Sequence, residues 1–362
     1  MKVCFLCRGF ASNGGIGRVI SVLSDKLADD TDVFLLSFFN EKASSYYAVN
    51  PKCKQATLYP APISMTKAIL IKNAVKKLSN YIKENEIDIV IACGALFYPM
   101  AVMAAHKTQI KSICWEHTNP NNKSDYNFQD IARRFGAKRS DANVVLTKSA
   151  LQVYQTRFPK ADNYQIYNPI DPDLLKHEYD YDTESKRIVS VGRLRPQKNF
   201  SRLLDIASAV MKDYPEWEWD IFGEGPLREE LETKRDALGL ERQVHFCGQV
   251  SDLYERYHNY SFMVMTSDYE GFPMTLLEGA ANKLPLVAFD VPTGPSEIIE
   301  NGKNGFLCEN GDIEGMVCSI RKLITIVDDR RIYSHGCKEK AEEFGVDEIC
   351  SQWKQLLFKM SR

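Results

Sequence analysis

Short apolar runs alternate with segments of helical periodicity along almost the whole chain, and no other feature constrains the fold as strongly. In the first half the strand-like runs are 2–7, Val33–Phe38, Ile87–Ala92, Ile110–Trp115 and Asn143–Leu146. In the second half they are Ile188–Val191, Glu218–Phe222, Val244–Phe246, Phe262–Met265, Leu286–Phe289 and Phe306–Cys308. Helical spacing fills the intervals: Ile16, Val19, Ile20, Leu23 and Leu27 follow the first run, and Phe200, Leu203, Leu204, Ala207 and Val210 follow Ile188–Val191. Runs that are apolar on both faces, separated by helices, predict parallel βαβ units. Residues 39–65 carry no clear period and read as long loops.

The alternation breaks once, over 168–187, where Asn168-Pro169-Ile170-Asp171-Pro172 leads into Tyr179-Asp180-Tyr181-Asp182. Proline and acid in this density are linker chemistry. At 362 residues the chain exceeds one typical domain, and its 44 % hydrophobic content suffices for two cores. We therefore expect an α/β protein with one domain over 1–170 and a second over 171–345; the alternation itself assigns no ligand to either. A last helix within 346–362 is expected to cross back to the first domain.

Lys2-Val3-Cys4-Phe5-Leu6-Cys7 is too short for a signal peptide and runs at once into Arg8 and a glycine loop. No stretch approaches the roughly 18–20 apolar residues that span a bilayer. The expected location is the cytoplasm, with peripheral contact at the inner face of the membrane. Ten cysteines are scattered from Cys4 to Cys350. Cys4 and Cys7 point to opposite faces of a strand, and no second CxxC completes a zinc site, so reduced buried thiols are expected. The net charge of −2 conceals an asymmetry: residues 1–170 hold 22 Lys and Arg against 13 Asp and Glu, and the remainder 24 against 35. Either the halves face different partners, or two domains simply differ in surface charge.

Four segments carry chemistry. Asn13-Gly14-Gly15-Ile16-Gly17-Arg18 joins the first strand to its helix, where glycines allow close backbone approach and the helix start favours an anion. A dinucleotide site is excluded, because Ile20 stands at the third glycine and strand two ends in Ser37-Phe38 without a ribose-binding acid. Val191-Gly192-Arg193-Leu194-Arg195-Pro196-Gln197-Lys198-Asn199 ends a strand at a glycine and supplies cations suited to a diphosphate. Asp220-Ile221-Phe222-Gly223-Glu224-Gly225-Pro226 is a strand, glycine turn and helix start, with Gly223 and Gly225 read as leaving room for a flat ring. The fourth is Asp268-Tyr269-Glu270-Gly271-Phe272-Pro273-Met274-Thr275-Leu276-Leu277-Glu278. It enters a helix at Pro273 with one glutamate in the turn and another two turns in.

The Glu-x7-Glu segment headed by Glu-Gly-Phe-Pro resembles retaining glycosyltransferase family 4. The likeness extends to the Gly192–Asn199 loop, the Phe-Gly-Glu-Gly-Pro turn, Pro292-Thr293-Gly294-Pro295-Ser296-Glu297 and Asn301-Gly302-Lys303-Asn304-Gly305. In the first half it rests on Gly14-Gly15 and Glu116-His117. The resemblance implies a GT-B fold, two Rossmann-like parallel-sheet domains facing a central cleft. It implies that Arg193 and Lys198 neutralise a donor diphosphate. Glu270 would hold sugar hydroxyls, with the backbone of Gly271, Phe272, Pro273 and Met274 supporting them. Glu278 would bind the ribose, with Thr275 and Leu276 near the phosphates. His117 would contact the sugar, and Gly14 and Gly15 would lie against diphosphate or acceptor.

The implied reaction is metal-independent sugar transfer with retained anomeric configuration. The donor would be a nucleotide diphosphate sugar, UDP-linked ahead of GDP-mannose. The acceptor would be a saccharide, polyprenyl-diphosphate-linked in many relatives of this kind, in polysaccharide or glycan assembly. No cofactor or nucleic-acid partner is expected. The DxD strings Asp171-Pro172-Asp173 and Asp180-Tyr181-Asp182 sit in the linker and read as turn chemistry. Competing readings are a non-catalytic two-lobed sugar or nucleotide binder, a nucleotide-sugar epimerase and a sugar phosphorylase. Residues 66–83 form a basic amphipathic helix whose stripe of Ala68, Ile71, Val75, Leu78 and Ile82 either rests on an anionic bilayer or faces the core.

Overall fold

The computed structural model describes every residue except 11–13, 40–44, 62–67, 122–126 and 177–179, and only the backbone of 68–70 and 127. The chain divides into two compact units, Met1–Asp171 together with Gly345–Arg362, and Pro172–Phe344. Each is a parallel sheet flanked by helices.

The first unit contains β1 (Lys2–Cys7), α1 (Gly15–Leu27), β2 (Asp32–Phe39), β3 (Lys54–Tyr59), α2 (Ala68–Asn85), β4 (Ile89–Cys93), α3 (Tyr98–Thr108), β5 (Lys111–Glu116), α4 (Asn127–Arg139), β6 (Ala142–Val145), α5 (Lys148–Arg157) and β7 (Asn163–Gln165). Its seven strands run in the order β3-β2-β1-β4-β5-β6-β7. The second unit contains α6 (Pro172–Leu175), β8 (Arg187–Val191), α7 (Phe200–Met211), β9 (Glu218–Phe222), α8 (Arg228–Ala237), β10 (Val244–Gly248), α9 (Leu253–Arg256), β11 (Phe262–Met265), α10 (Met274–Ala281), β12 (Leu286–Asp290), α11 (Pro295–Ile298), β13 (Gly305–Glu309), α12 (Ile313–Thr325) and α13 (Val327–Glu342). Its six strands run β10-β9-β8-β11-β12-β13. The order reverses between β1 and β4 in one sheet and between β8 and β11 in the other, as in doubly wound folds.

The central strands are buried along nearly their whole length, which is why their apolar runs are unbroken: Val3 to Leu6 and Ile89 to Ala92 are fully shielded. Two strands were not foreseen. β3 falls in the stretch read as loops; it pairs with β2 at the sheet edge and exposes Lys54, Gln55 and Thr57, so its sequence has no apolar run to detect. β7, three residues at the opposite edge, is half-exposed for the same reason.

Helix α2 settles which of its two roles the apolar stripe plays. Ala74, Leu78 and Ile82 are buried, and Ile71, Val75 and Tyr81 pack against the same core as Phe34, Leu36 and Val90. The stripe from Ile71 to Ile82 is therefore spent within the unit and is not free for lipid, while residues 66–67 and the side chain of Ala68 lie outside the described residues. Lys77 lies 4.2 Å over the Tyr59 ring and donates to the Leu58 carbonyl, while Lys72, Lys76 and Lys83 are exposed. Among the described helices none is long and apolar enough to cross a membrane. All ten cysteines are free and eight are buried; burial pushes the Cys7 thiol up to about 12, so these are inert packing groups.

The final helix α14 (Val346–Met360) belongs to the first unit. Trp353 is fully buried and meets Trp115 of β5 edge-on at 4.7 Å. Ion pairs Lys26–Asp347 at 2.6 Å and Lys354–Asp30 at 2.7 Å flank the contact with α1, but they are exposed and add little. Burial of Trp353 dominates. Trp353→Ala is expected to destabilise the first unit by about 3–5 kcal/mol. In urea, that unit's unfolding transition should move to lower concentration while the second unit's stays in place.

Candidate active site

Ligands of doubly wound sheets bind beyond the carboxyl ends of the strands, where strand order reverses. In the second unit that point lies between β8 and β11, and the loops leaving these strands carry the predicted cations and the first glutamate. Several bonds staple the two loops together. Asn199, in the left-handed region with φ 47°, caps α7 by accepting from the Arg202 N–H at 3.1 Å. Its amide donates to Asp268 at 3.0 Å, and Arg202 pairs with the same carboxylate at 2.9 Å. The Asp268 N–H donates to the Gln197 carbonyl, and the Gln197 amide to the Tyr269 carbonyl, each at 2.9 Å. Thr266 donates to the carbonyls of Lys198 and Asn199 at 3.2 Å.

The outcome is that Lys198 Nζ lies 2.6 Å from Glu270 Oε1, with side chains only 17 % and 7 % exposed. Thr293 donates to the Glu270 carbonyl and holds that turn from a third loop. Arg193 is exposed, and among the described residues no hydrogen bond or ion pair holds its guanidinium. The structure thus joins Lys198 to Glu270 and leaves Arg193 available.

Gly223 and Gly225 stand where this turn meets the β8 loop backbone to backbone. A Cβ on Gly223 would lie 1.9 Å from the Gly192 carbonyl oxygen, and one on Gly225 2.4 Å from that of Leu194. The glycines let this turn pack backbone to backbone on the β8 loop, an approach sealed by Gly192 N–H to Phe222 O at 2.9 Å and Leu194 N–H to Glu224 O at 3.0 Å. They shape the cation loop from beneath.

Beyond Glu270, Gly271 is half-buried, whereas Phe272 packs against Phe344 with centroids 5.4 Å apart and Pro273 is buried. Leu276 is fully buried and its N–H already donates to the Pro273 carbonyl at 3.0 Å. Its N–H is thus engaged within the helix start. The helix-start donors that remain are the N–H groups of Met274 and Thr275. Glu278 accepts from the Tyr257 hydroxyl at 3.0 Å and the Tyr254 hydroxyl at 3.4 Å. Those rings stack at 6.4 Å, Tyr257 fully buried, and no local motif announced them, because they come from the connection between β10 and β11.

Gly14, Gly15 and His117 lie in the first unit. Gly14 precedes α1 with extended backbone, and among the described residues nothing stands within 4 Å of a Cβ placed on Gly15. Asn13 lies outside the described residues. His117 follows β5, its ring 4.3 Å from Trp115. Nε2 is shut off from solvent without a partner among the described residues, and burial pushes the imidazole down to about 3. His117 is accordingly a neutral ring at physiological pH, able to donate or accept a hydrogen bond without carrying charge.

The residue before it anchors the segment. Glu116, 2 % exposed, accepts from Thr118 N–H at 3.1 Å, Thr118 Oγ1 at 2.6 Å, Arg133 Nε at 2.7 Å and Tyr154 at 3.2 Å. With four donors the buried carboxylate is satisfied. The sequence offered Glu116 only as half of a dipeptide; Arg133 and Tyr154 are its partners solely through the fold.

Two family models match the chain, "Glycosyltransferase Family 4" over residues 13–174 and "Glycosyl transferases group 1" over 173–343. An uncharacterized glycosyltransferase of Haemophilus influenzae is 29 % identical over 98 % of this chain and 99 % of its own length. The amylovoran biosynthesis glycosyltransferase AmsD of Erwinia amylovora is 28 % identical with the same coverage. Among solved structures, Anabaena HepE in complex with UDP and glucose superposes with a TM-score of 0.82 at 18 % identity, covering 99 % of this chain and 100 % of that one. The architecture is that of the GT-B fold.

The depressed pKa of His117 has a consequence for stability. An unfolded histidine takes up its proton near pH 6.5, while the folded ring stays neutral until about pH 3. Its contribution is fully present above pH 6.5 and is lost as pH falls toward 3. His117→Gln is expected to flatten the decline in chemical-denaturation stability between pH 7 and pH 5.

Proposed function

We propose that this chain, which belongs to the GT-B glycosyltransferases, transfers a hexose or N-acetylhexosamine from a UDP-sugar to a saccharide acceptor, with retention of anomeric configuration. The observation that carries the donor assignment is the Lys198–Glu270 pair at the strand-order reversal, with Arg193 uncommitted beside it. UDP is favoured because HepE, which shares the fold, binds UDP. An acceptor in polysaccharide assembly is favoured by the role printed for AmsD. In the finer form of the proposal the acceptor is polyprenyl-diphosphate-linked, and exposed Lys72, Lys76 and Lys83 of α2 supply electrostatic contact with an anionic membrane.

Lys198 and Glu270 neutralise each other as a pair. An arriving diphosphate offers Lys198 more charge than one carboxylate does, and Arg193 adds a second cation. As Lys198 turns to the phosphates, Glu270 is released to accept from sugar hydroxyls. The developing negative charge on the leaving diphosphate is stabilised by Arg193, Lys198 and the N–H groups of Met274 and Thr275. Glu278 takes the ribose, and neutral His117 offers the sugar a hydrogen bond. The attacking acceptor is deprotonated by the departing phosphate on the same face, so no enzyme nucleophile is needed.

No divalent metal is required in this scheme, because fixed cations and helix-start donors supply the positive charge. The linker carboxylates Asp171 and Asp173 are committed to Arg18 and to Lys176, the latter at 2.8 Å.

Calorimetric titration tests the donor site. Arg193→Ala/Lys198→Ala is expected to weaken UDP binding by about 10²-fold or more, since each charge-assisted contact contributes roughly 1.5–3 kcal/mol. Unchanged UDP affinity would refute the assignment. Glu270→Gln separates the two roles of the pair. With Lys198 freed, UDP should bind as tightly as in wild type or a few-fold tighter, while kcat for sugar transfer falls by about 10²-fold or more. A parallel loss of UDP binding would show that Glu270 only positions Lys198.

A further inference from the structure

Between α4 and α5 of the first unit lies a cavity of about 330 Å³ that the donor scheme does not use. It is lined by Arg133, Arg134, Lys138 and Arg157, with Asp130 at one side and Phe158 on its wall. Among the described residues four cations therefore face one carboxylate. Asp130 is already engaged: it accepts from Arg134 Nε at 2.8 Å and lies 3.7 Å from Arg133 Nη1.

Basic residues in the last turn of a helix have an ordinary explanation, since they complement its dipole. That accounts for Lys138 at the end of α4 and Arg157 at the end of α5. It does not account for Arg133, whose side chain is 4 % exposed. Its Nε is bound to Glu116 and its Nη2 to Thr118, yet buried Nη1 has no hydrogen-bond acceptor among the described residues. An idle guanidinium N–H shielded from water is costly unless an acceptor reaches it. Like charges gathered in one recess raise the cost until an anion neutralises them.

We propose that this cavity is a binding site for a phosphoryl anion, separate from the diphosphate loops of the second unit. A tetrahedral oxyanion would give Arg133 Nη1 its missing acceptor and take further bonds from Arg134 and Lys138. Phe158 would border the carbon skeleton of a phosphate ester. Arg157 closes the recess while its own donors hold the Pro120 carbonyl and Asn121 Oδ1, both at 2.8 Å.

The site is wired to the segment that bears His117. Arg133, which would meet the anion, grips Glu116, and Arg157, which closes the recess, grips residues 120 and 121, so two lining arginines also fix both ends of Glu116–Asn121. On the sugar-transfer reading, on which this link to His117 rests, the occupant would be a phosphate carried by the acceptor or its lipid. Anion binding itself does not depend on that reading.

The test uses the full chain carrying Arg193→Ala/Lys198→Ala, so that phosphate cannot be taken up by the donor loops. Equilibrium dialysis at low salt with radiolabelled inorganic phosphate should detect binding. Adding Arg134→Glu/Lys138→Glu, at exposed positions where folding is retained, should weaken it by about tenfold or more. Arg134→Lys/Lys138→Arg should keep it within about twofold, since charge is preserved. Equal affinity after charge reversal, or no phosphate binding in the parent, would overturn the proposal. With Arg193 and Lys198 intact, charge reversal should leave UDP affinity unchanged, which separates failure of this site from failure of the donor assignment. Vesicle sedimentation identifies the source. Phosphatidylglycerol-dependent retention that charge reversal abolishes and free phosphate competes away would assign the site to a lipid headgroup. Phosphate binding without vesicle retention would assign it to a soluble phosphate; either result supports an anion site.

Discussion

The donor-side site depends on two parallel strands that are neighbours in space but whose following helices leave toward opposite faces of the sheet. β8 and β11 pair directly, through Phe262 with Ile188 and Met263 with Val189. The helix after β8 shares a core with α8 and α12, whereas the helix after β11 packs on α13. Because the connections diverge, the backbone opens at this one place, and the loops Gly192–Asn199 and Thr266–Pro273 face each other across it. A continuous order of strands would have sent both helices to the same face and closed the opening.

Given that opening, short-range chemistry decides what fills it. Asn199, Asp268, Arg202 and Gln197 lock the two loops into one body before any ligand arrives. The glycine turn after β9 supports that body from below through backbone contacts that a single methyl group would break. Such preorganisation spares the site from reorganising its dipoles when charge moves to the leaving group, which is where electrostatic catalysis has most to gain. The Lys198–Glu270 pair makes the same arrangement tolerable without ligand, since two partly buried opposite charges at 2.6 Å satisfy each other.

The first unit solves a different problem with similar means. A buried carboxylate, Glu116, is saturated by Arg133, Tyr154 and Thr118, and the strand end it terminates presents His117 as an uncharged ring beside Trp115. Neutrality follows from burial and not from any partner of the imidazole. The same arginine that completes Glu116 leaves one N–H idle at the cavity between α4 and α5, so the anchor of the histidine segment is also the floor of a basic recess.

What the amino-acid sequence determined by itself was whatever repeats with a period or sits in a contiguous motif. Buried parallel strands declare themselves because both faces are apolar, so all six strands of the second sheet were legible, as was the clustering of chemistry in the loops after β8, β9 and β11. Edge strands β3 and β7 were not, because a half-solvated strand carries polar residues. The stripe on α2 was legible as amphipathic, but its destination in the core was not, since a membrane and a sheet ask for the same spacing. Tertiary structure alone decided that Lys198 meets Glu270, that Gly223 and Gly225 abut backbone, and that Leu276 is spent on packing. It alone joined Tyr254 and Tyr257 to Glu278, and Arg133 to Glu116. Each of these contacts spans 17 or more residues of chain except the burial of Leu276, and local periodicity carries no information over such separations.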